Sequence, residues 1–219
     1  MSRCFSIVMT VYDQAHDLEE NLPAFLTQEY EPGYEVIVVD ESSTDNTEDV
    51  LKLMKNNYSQ LYTTFIPRPN RLVSRPKLAY TIGVKASKNE WVIISSDIKK
   101  KPEATDILQA IERTMNEQSF LYLGYLTGKG LRLQPFDDVT EVHRQIVKAE
   151  RKKSNGHQGK HMRYIRGKYD FIIVHKDYAH DLLKFFEEKP SRLQLLGLRL
   201  SILWQNLCKR SSTTLLTIE

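Results

Sequence analysis

The stretch Glu35-Val36-Ile37-Val38-Val39-Asp40-Glu41-Ser42-Ser43-Thr44-Asp45-Asn46-Thr47 decides how the rest of the chain is read. The run Val36 to Val39 is wholly β-branched, so it reads as a strand with both faces covered. It stops abruptly at two carboxylates and two hydroxyls. Asp45, with Glu48 three residues on, then makes an N-cap and its capping partner for a helix to about Asn56. A fully buried strand feeding directly into a helix is the unit of a parallel α/β sheet.

Working outward, the same alternation repeats. Cys4 to Thr10 is a short apolar strand, followed by a helix over His16 to Gln28 in which Pro23 can shift or kink the start. Leu61 to Ile66 is a third strand. Pro67, Pro69 and Pro76 mark a loop, and Lys77 to Ala86 is helical. Trp91 to Ser96 is a fourth strand closing on Asp97, Glu103 to Glu117 a helix, and Phe120 to Leu126 a fifth strand. This predicts a doubly wound, mostly parallel sheet with helices on both faces over residues 1–127. Residues 128–190 form a less regular region continuous with it: a helix over Val139 to Lys153, a polar loop at Ser154 to Gly159, a strand at Tyr169 to Val174 and a helix from Lys176 to Glu188. Residues 191–219 form a C-terminal amphipathic helix, Ser191 to Lys209, and a tail.

Bulk properties exclude several classes. With 219 residues, 41% hydrophobic and 27% charged, the chain can build a core without staples. Cys4 and Cys208 give neither a disulfide framework nor metal-binding spacing, which suits a reducing, cytoplasmic setting. Phe5 to Val11 lacks a cleavage pattern, so no signal peptide is expected. No run approaches the ~20 apolar residues of a membrane span. A net charge of +3 does not call for nucleic acid.

In open α/β sheets, ligands bind beyond the carboxyl ends of the strands. Those ends are Thr10-Val11-Tyr12-Asp13, Asp40-Glu41 and Ser95-Ser96-Asp97. An aromatic ring and two carboxylates at one edge suit a base, a ribose and a divalent cation set against phosphates. The plainer alternative is that Asp40 and Asp97 are turn caps. A dinucleotide is disfavoured, because Val11-Tyr12-Asp13-Gln14-Ala15 lacks the glycines that admit a pyrophosphate.

These segments resemble the family 2 glycosyltransferases. Phe5 to Asp13 is similar to the family's opening strand, and Leu18-Glu19-Glu20-Asn21-Leu22 with Gln28-Glu29-Tyr30 to its first helix and exit. The stretch from Glu35 to Thr47 is the most specific match. Lys77 and Gly83 to Ser87 resemble the helix before the fourth strand, and Trp91 to Asp97 ends where a DxD motif begins. The resemblance covers roughly the first half of the chain. It implies a GT-A-like fold that transfers sugar from a nucleotide-diphospho-sugar, UDP-linked by preference, to a glycan or lipid-linked acceptor in glycan or polysaccharide synthesis. Thr10, Val11, Tyr12, Asp40, Lys77, Ser96 and Asp97 would bind the nucleotide, and Asp97 would also hold a divalent cation, Mg²⁺ or Mn²⁺.

The chain departs from the pattern twice. Lys99 stands where the second DxD acid belongs. It can contact the diphosphate in place of metal, mark a decayed site that binds without catalysis, or belong with Lys100 and Lys101 to a solvated turn. The general base is sought in the pair Asp137-Asp138, whose alternative role is to cap the helix beginning at Val139. Asp170 and Asp177 are lesser candidates. The basic stretch Lys148 to Lys168 is either a solvated face or a contact for phosphate or an anionic membrane. The final helix either packs on the domain or a second subunit, as in a homo-oligomer, or lies peripherally on the inner face of a membrane.

Overall fold

The structure, a computed structural model, describes residues 2–66, 75–95, 97–127, 130–142 and 169–184, all within one compact unit, Met1–Phe186. The elements run β1 (Phe5–Val11), α1 (Ala15–Leu26), β2 (Tyr34–Asp40), α2 (Thr47–Asn57), β3 (Leu61–Phe65), α3 (Arg75–Ala86), β4 (Trp91–Ser95), α4 (Ile107–Thr114), β5 (Leu121–Thr127), β6 (Gly130–Phe136), β7 (Phe171–His175) and α5 (Lys176–Lys184). The seven strands form one sheet in the order β3-β2-β1-β4-β7-β5-β6.

β1 pairs in parallel with β2 and with β4, and β2 with β3. All seven residues of β1 are buried, as expected of a strand covered on both faces. The pleat divides the core in two. Phe5, Ile7, Met9 and Val11 face α1, α2 and α4, through Leu18, Leu22, Val50, Leu108 and Ile111. Val8, Ile37 and Val39 face α3 and α5, through Ala79, Tyr80, Val84, Leu182 and Leu183. Helices therefore cover both faces, as the alternating pattern predicts.

The second half differs from the sequence reading. β7 enters antiparallel between β4 and β5 and joins them. β6, which the sequence reading leaves unassigned, pairs antiparallel with β5 as an edge strand. An edge position tolerates Pro135, which has no N–H to give to a ladder. α3 begins at Arg75, so Pro76 lies in its first turn, where a missing N–H costs nothing. α4 is shorter than the predicted helix. Residues 139–142 are helical. The rest of that predicted helix, the basic stretch to Lys168 and the helix from Ser191 lie outside the described residues. No helix among the described residues is long and apolar enough to cross a membrane.

Candidate functional site

β1 to β4 all end at one edge of the sheet. Val11 lies opposite Asp40, and Asp40 opposite Phe65. The β1–β4 ladder stops earlier, at Val8 opposite Ile94. The last residues of β1 and β4 thus part company: the chain leaves β1 toward β2 and leaves β4 toward β5, in opposite directions along the sheet. This is the switch point at which open sheets form a ligand crevice.

The loops after β1 and β2 are fastened into one body. Asp40 Oδ1 accepts from Ser43 N at 2.9 Å and from Ser43 Oγ at 2.6 Å. Ser43 Oγ in turn accepts from Asp13 N at 3.0 Å, and Asp13 Oδ1 accepts from Thr44 N at 2.6 Å. Asp13 and Ser42 hold left-handed φ values of 50° and 63°. Such φ values are uncommon for residues other than glycine, and this hydrogen-bond lattice over-determines them. Asp45 serves two helices: Oδ2 accepts from Ala15 N at the start of α1, and Oδ1 from Thr47 N at the start of α2, each at 3.0 Å. Slight burial opposes its ionisation, but the Thr47 hydroxyl and these N–H groups outweigh it and hold the carboxyl below its ordinary value. Glu48, expected as the capping partner, instead pairs with Lys52 at 2.8 Å.

Most of the predicted binding residues meet at this edge. Thr10, Val11 and Asp40 are buried there, Asp97 is half-buried, and Tyr12 is 43% exposed. Lys77 is in the first turn of α3, and Ser96 lies outside the described residues. Each lysine of the run has an acidic partner. Lys99 N donates to Asp97 Oδ1 at 3.1 Å, while its ammonium pairs with Asp17 Oδ2 of α1 at 3.2 Å. Lys100 pairs with Asp170 at 2.9 Å, and Lys101 with Glu20 at 3.8 Å.

Asp137 and Asp138 are not brought to this edge. β6 runs down against β5, with Phe136 opposite Leu121, so both acids emerge at the far edge of the sheet. A strand of seven residues separates them from it, roughly 23 Å. Asp138 Oδ1 accepts from Thr140 N at 2.8 Å, which is the capping role. Asp177, after β7, is also at the far edge, 3.4 Å from His175 Nδ1. Asp170, before β7, is at the site edge, where Oδ2 accepts from Leu126 N at 2.6 Å.

Sequence reasoning passed over two neighbours of the site, Asp17 and Tyr80. Asp17 could have been found as the first-turn acid of the helix that leaves β1. Tyr80 is fully buried in α3, and its hydroxyl donates to Ser95 O at 3.2 Å. Burial pushes this phenol up, and the Glu41 and Asp97 carboxylates add to the rise.

The sequence model of the family described as "Glycosyl transferase family 2" matches residues 6–97, from β1 to Asp97. The segment 6–97 is thus similar to glycosyl transferase family 2. Its strand tips are the edge described above. The fold is shared with the mannosyltransferase PcManGT from Pyrobaculum calidifontis, solved with GDP-Man and Mn²⁺: TM-score 0.55, 17% identity, 83% of this chain and 47% of that one. It is also shared with S. aureus TarS 1-349: TM-score 0.53, 18% identity, 81% of this chain and 48% of that one. The chain thus spans about half the length of these structures. No curated protein sequence matches it.

As a cation site the matched segment offers the Asp97 carboxylate. Among the described residues no group of three His, Cys, Asp or Glu side chains is placed to hold a metal. One carboxylate suits Mg²⁺ or Mn²⁺ when the ligand's phosphates supply further oxygens, not a protein-only cage.

Proposed function

We propose that this edge binds a nucleotide-diphospho-sugar, UDP-linked by preference, and passes its sugar to a glycan or lipid-linked acceptor. The observation that carries the reading is the meeting of the β1, β2 and β4 tips at one switch-point edge, within the segment that the family 2 model matches. Val11 and Tyr12 would line the base. Asp40 Oδ1 is taken by Ser43, and among the described residues nothing donates to Oδ2. That oxygen is left to accept from the base imide, the group that distinguishes uracil. Thr10, Lys77 and Ser96 would complete the nucleotide contacts. Asp97 would hold a divalent cation, which supplies charge neutralisation on the departing nucleoside diphosphate. Lys99, two residues on, would add its ammonium to the same diphosphate. Calorimetric titration with UDP, with and without Mn²⁺, tests the reading. Binding is expected in at least one condition, and none in either defeats it.

A second reading, binding without transfer, is favoured by the placement of the candidate bases. Of Asp137, Asp138, Asp170 and Asp177, Asp170 alone is at this edge, and Lys100 and Leu126 N–H occupy both its oxygens. A carboxylate with both oxygens so engaged has neither one open to an acceptor hydroxyl. Release of free sugar or a glycosylated acceptor from UDP-sugar by the unaltered protein eliminates this second reading.

A further inference from the structure

Tyr80 reaches the β4 tip from within the core. α3 runs from the site edge toward the far edge, and helical side chains lean toward the helix N-terminus. Tyr80 therefore leans toward the strand tips. Gly83, three residues later, lets the helix settle close: a Cβ there would come within 2.3 Å of Val8 Cγ1. At this depth the Tyr80 hydroxyl donates to the carbonyl of Ser95, the last residue of β4, two before Asp97. The Glu41 and Asp97 carboxylates lie within electrostatic reach of it. One buried phenol on the helix that packs on β1 thus holds the β4 side of the gap that opens where the β1–β4 ladder stops. A phenylalanine would fill the same space, so packing alone does not call for the oxygen. A buried hydroxyl is tolerated where its hydrogen bonds are made.

We infer that Tyr80 is a positioning residue of the donor site: from α3, seated on β1 through Gly83 and Val8, its hydroxyl holds the Ser95 carbonyl and so fixes the β4 tip and the placement of Asp97. The inference rests on the donor reading above and deepens it. Tyr80→Phe removes the oxygen and keeps the ring. Calorimetric titration with UDP and Mn²⁺ should show affinity reduced by about three- to tenfold, the range for one lost internal hydrogen bond. In an Asp97→Asn background the same change should cost nothing more, because its effect passes through Asp97. Val84→Ala, on the same buried face, is the structural control: it should lower the melting temperature and leave UDP affinity unchanged. Equal UDP binding by wild type and Tyr80→Phe overturns the inference and leaves the donor reading standing. Additive losses in the double variant, or a loss in Val84→Ala as large as that in Tyr80→Phe, also overturn it. Failure of the wild type to bind any nucleotide overturns both.

Discussion

Neutralising Asp17 should tighten diphosphate binding, although Asp17 is not itself a ligand in the proposed site. The Lys99 ammonium rests on Asp17 at 3.2 Å, with the lysine side chain 61% exposed and the aspartate 21%. For the ammonium to meet a diphosphate, that pair must be given up. Pairs this exposed are worth about 0.2–1 kcal/mol. Asp17→Asn should therefore raise UDP affinity by roughly 1.4- to 5-fold, since 1.4 kcal/mol is tenfold. The gain should shrink as salt is raised from ~0.05 to ~0.5 M, because the competing pair is screened. Lys99→Ala alone should weaken binding, and Asp17→Asn added to it should change nothing. Asparagine keeps an acceptor for Gln14 Nε2 but removes a favourable charge from the start of α1, so a fall in stability is expected and is read separately by thermal melting. Unchanged or weaker UDP binding in Asp17→Asn, or a gain that persists without Lys99, refutes the competition.

Gly83→Ala should destabilise the fold by about 1–3 kcal/mol in denaturant melts, because the new methyl meets Val8 Cγ1 in a packed core. Asp45→Ala should cost about 0.5–2 kcal/mol, as it uncaps both α1 and α2. The Asp45 carboxyl is held below its unfolded value near 3.8, so its contribution is complete above that pH and fades as pH falls through the lower folded value. The stability gap between wild type and Asp45→Asn should close accordingly in acid titrations followed by circular dichroism. Asp137→Asn and Asp138→Asn should leave UDP affinity and any sugar transfer unchanged, since both acids sit at the far edge. A hundredfold loss of transfer in either would contradict that placement.

The first half of the fold was legible because its strands are buried on both faces. Val36 to Val39 or Trp91 to Ile94 can be little else, and the polar residues that end such runs must collect at one edge. Tyr12, Asp40 and Asp97 follow from that rule. β6 was hidden because Gly130–Phe136 is an edge strand of mixed polarity carrying Pro135, so it lacks the buried-strand pattern. Missing it reversed the expected position of Asp137 and Asp138, because one antiparallel strand carries the chain to the opposite edge. The partners of Lys99 and Lys100 are Asp17 and Asp170, in distant parts of the chain whose meeting only the fold decides. Tyr80 looked like an ordinary core aromatic, since periodicity reports which face is buried and not what a buried oxygen touches.

The antiparallel insertion of β7 has a consequence for how the chain is made. β4 and β5 have no pairing with each other and meet only through Phe171–His175. Between completion of the β5–β6 hairpin at Phe136 and arrival of His175, translation at 5–20 residues per second takes roughly 2 to 8 s. For that interval the inner borders of β4 and the hairpin are both open ladders, the kind of edge that recruits other chains. Nascent-chain solubility should therefore rise sharply once β7 has left the ribosome, and truncation before Tyr169 should yield aggregate rather than a smaller soluble domain.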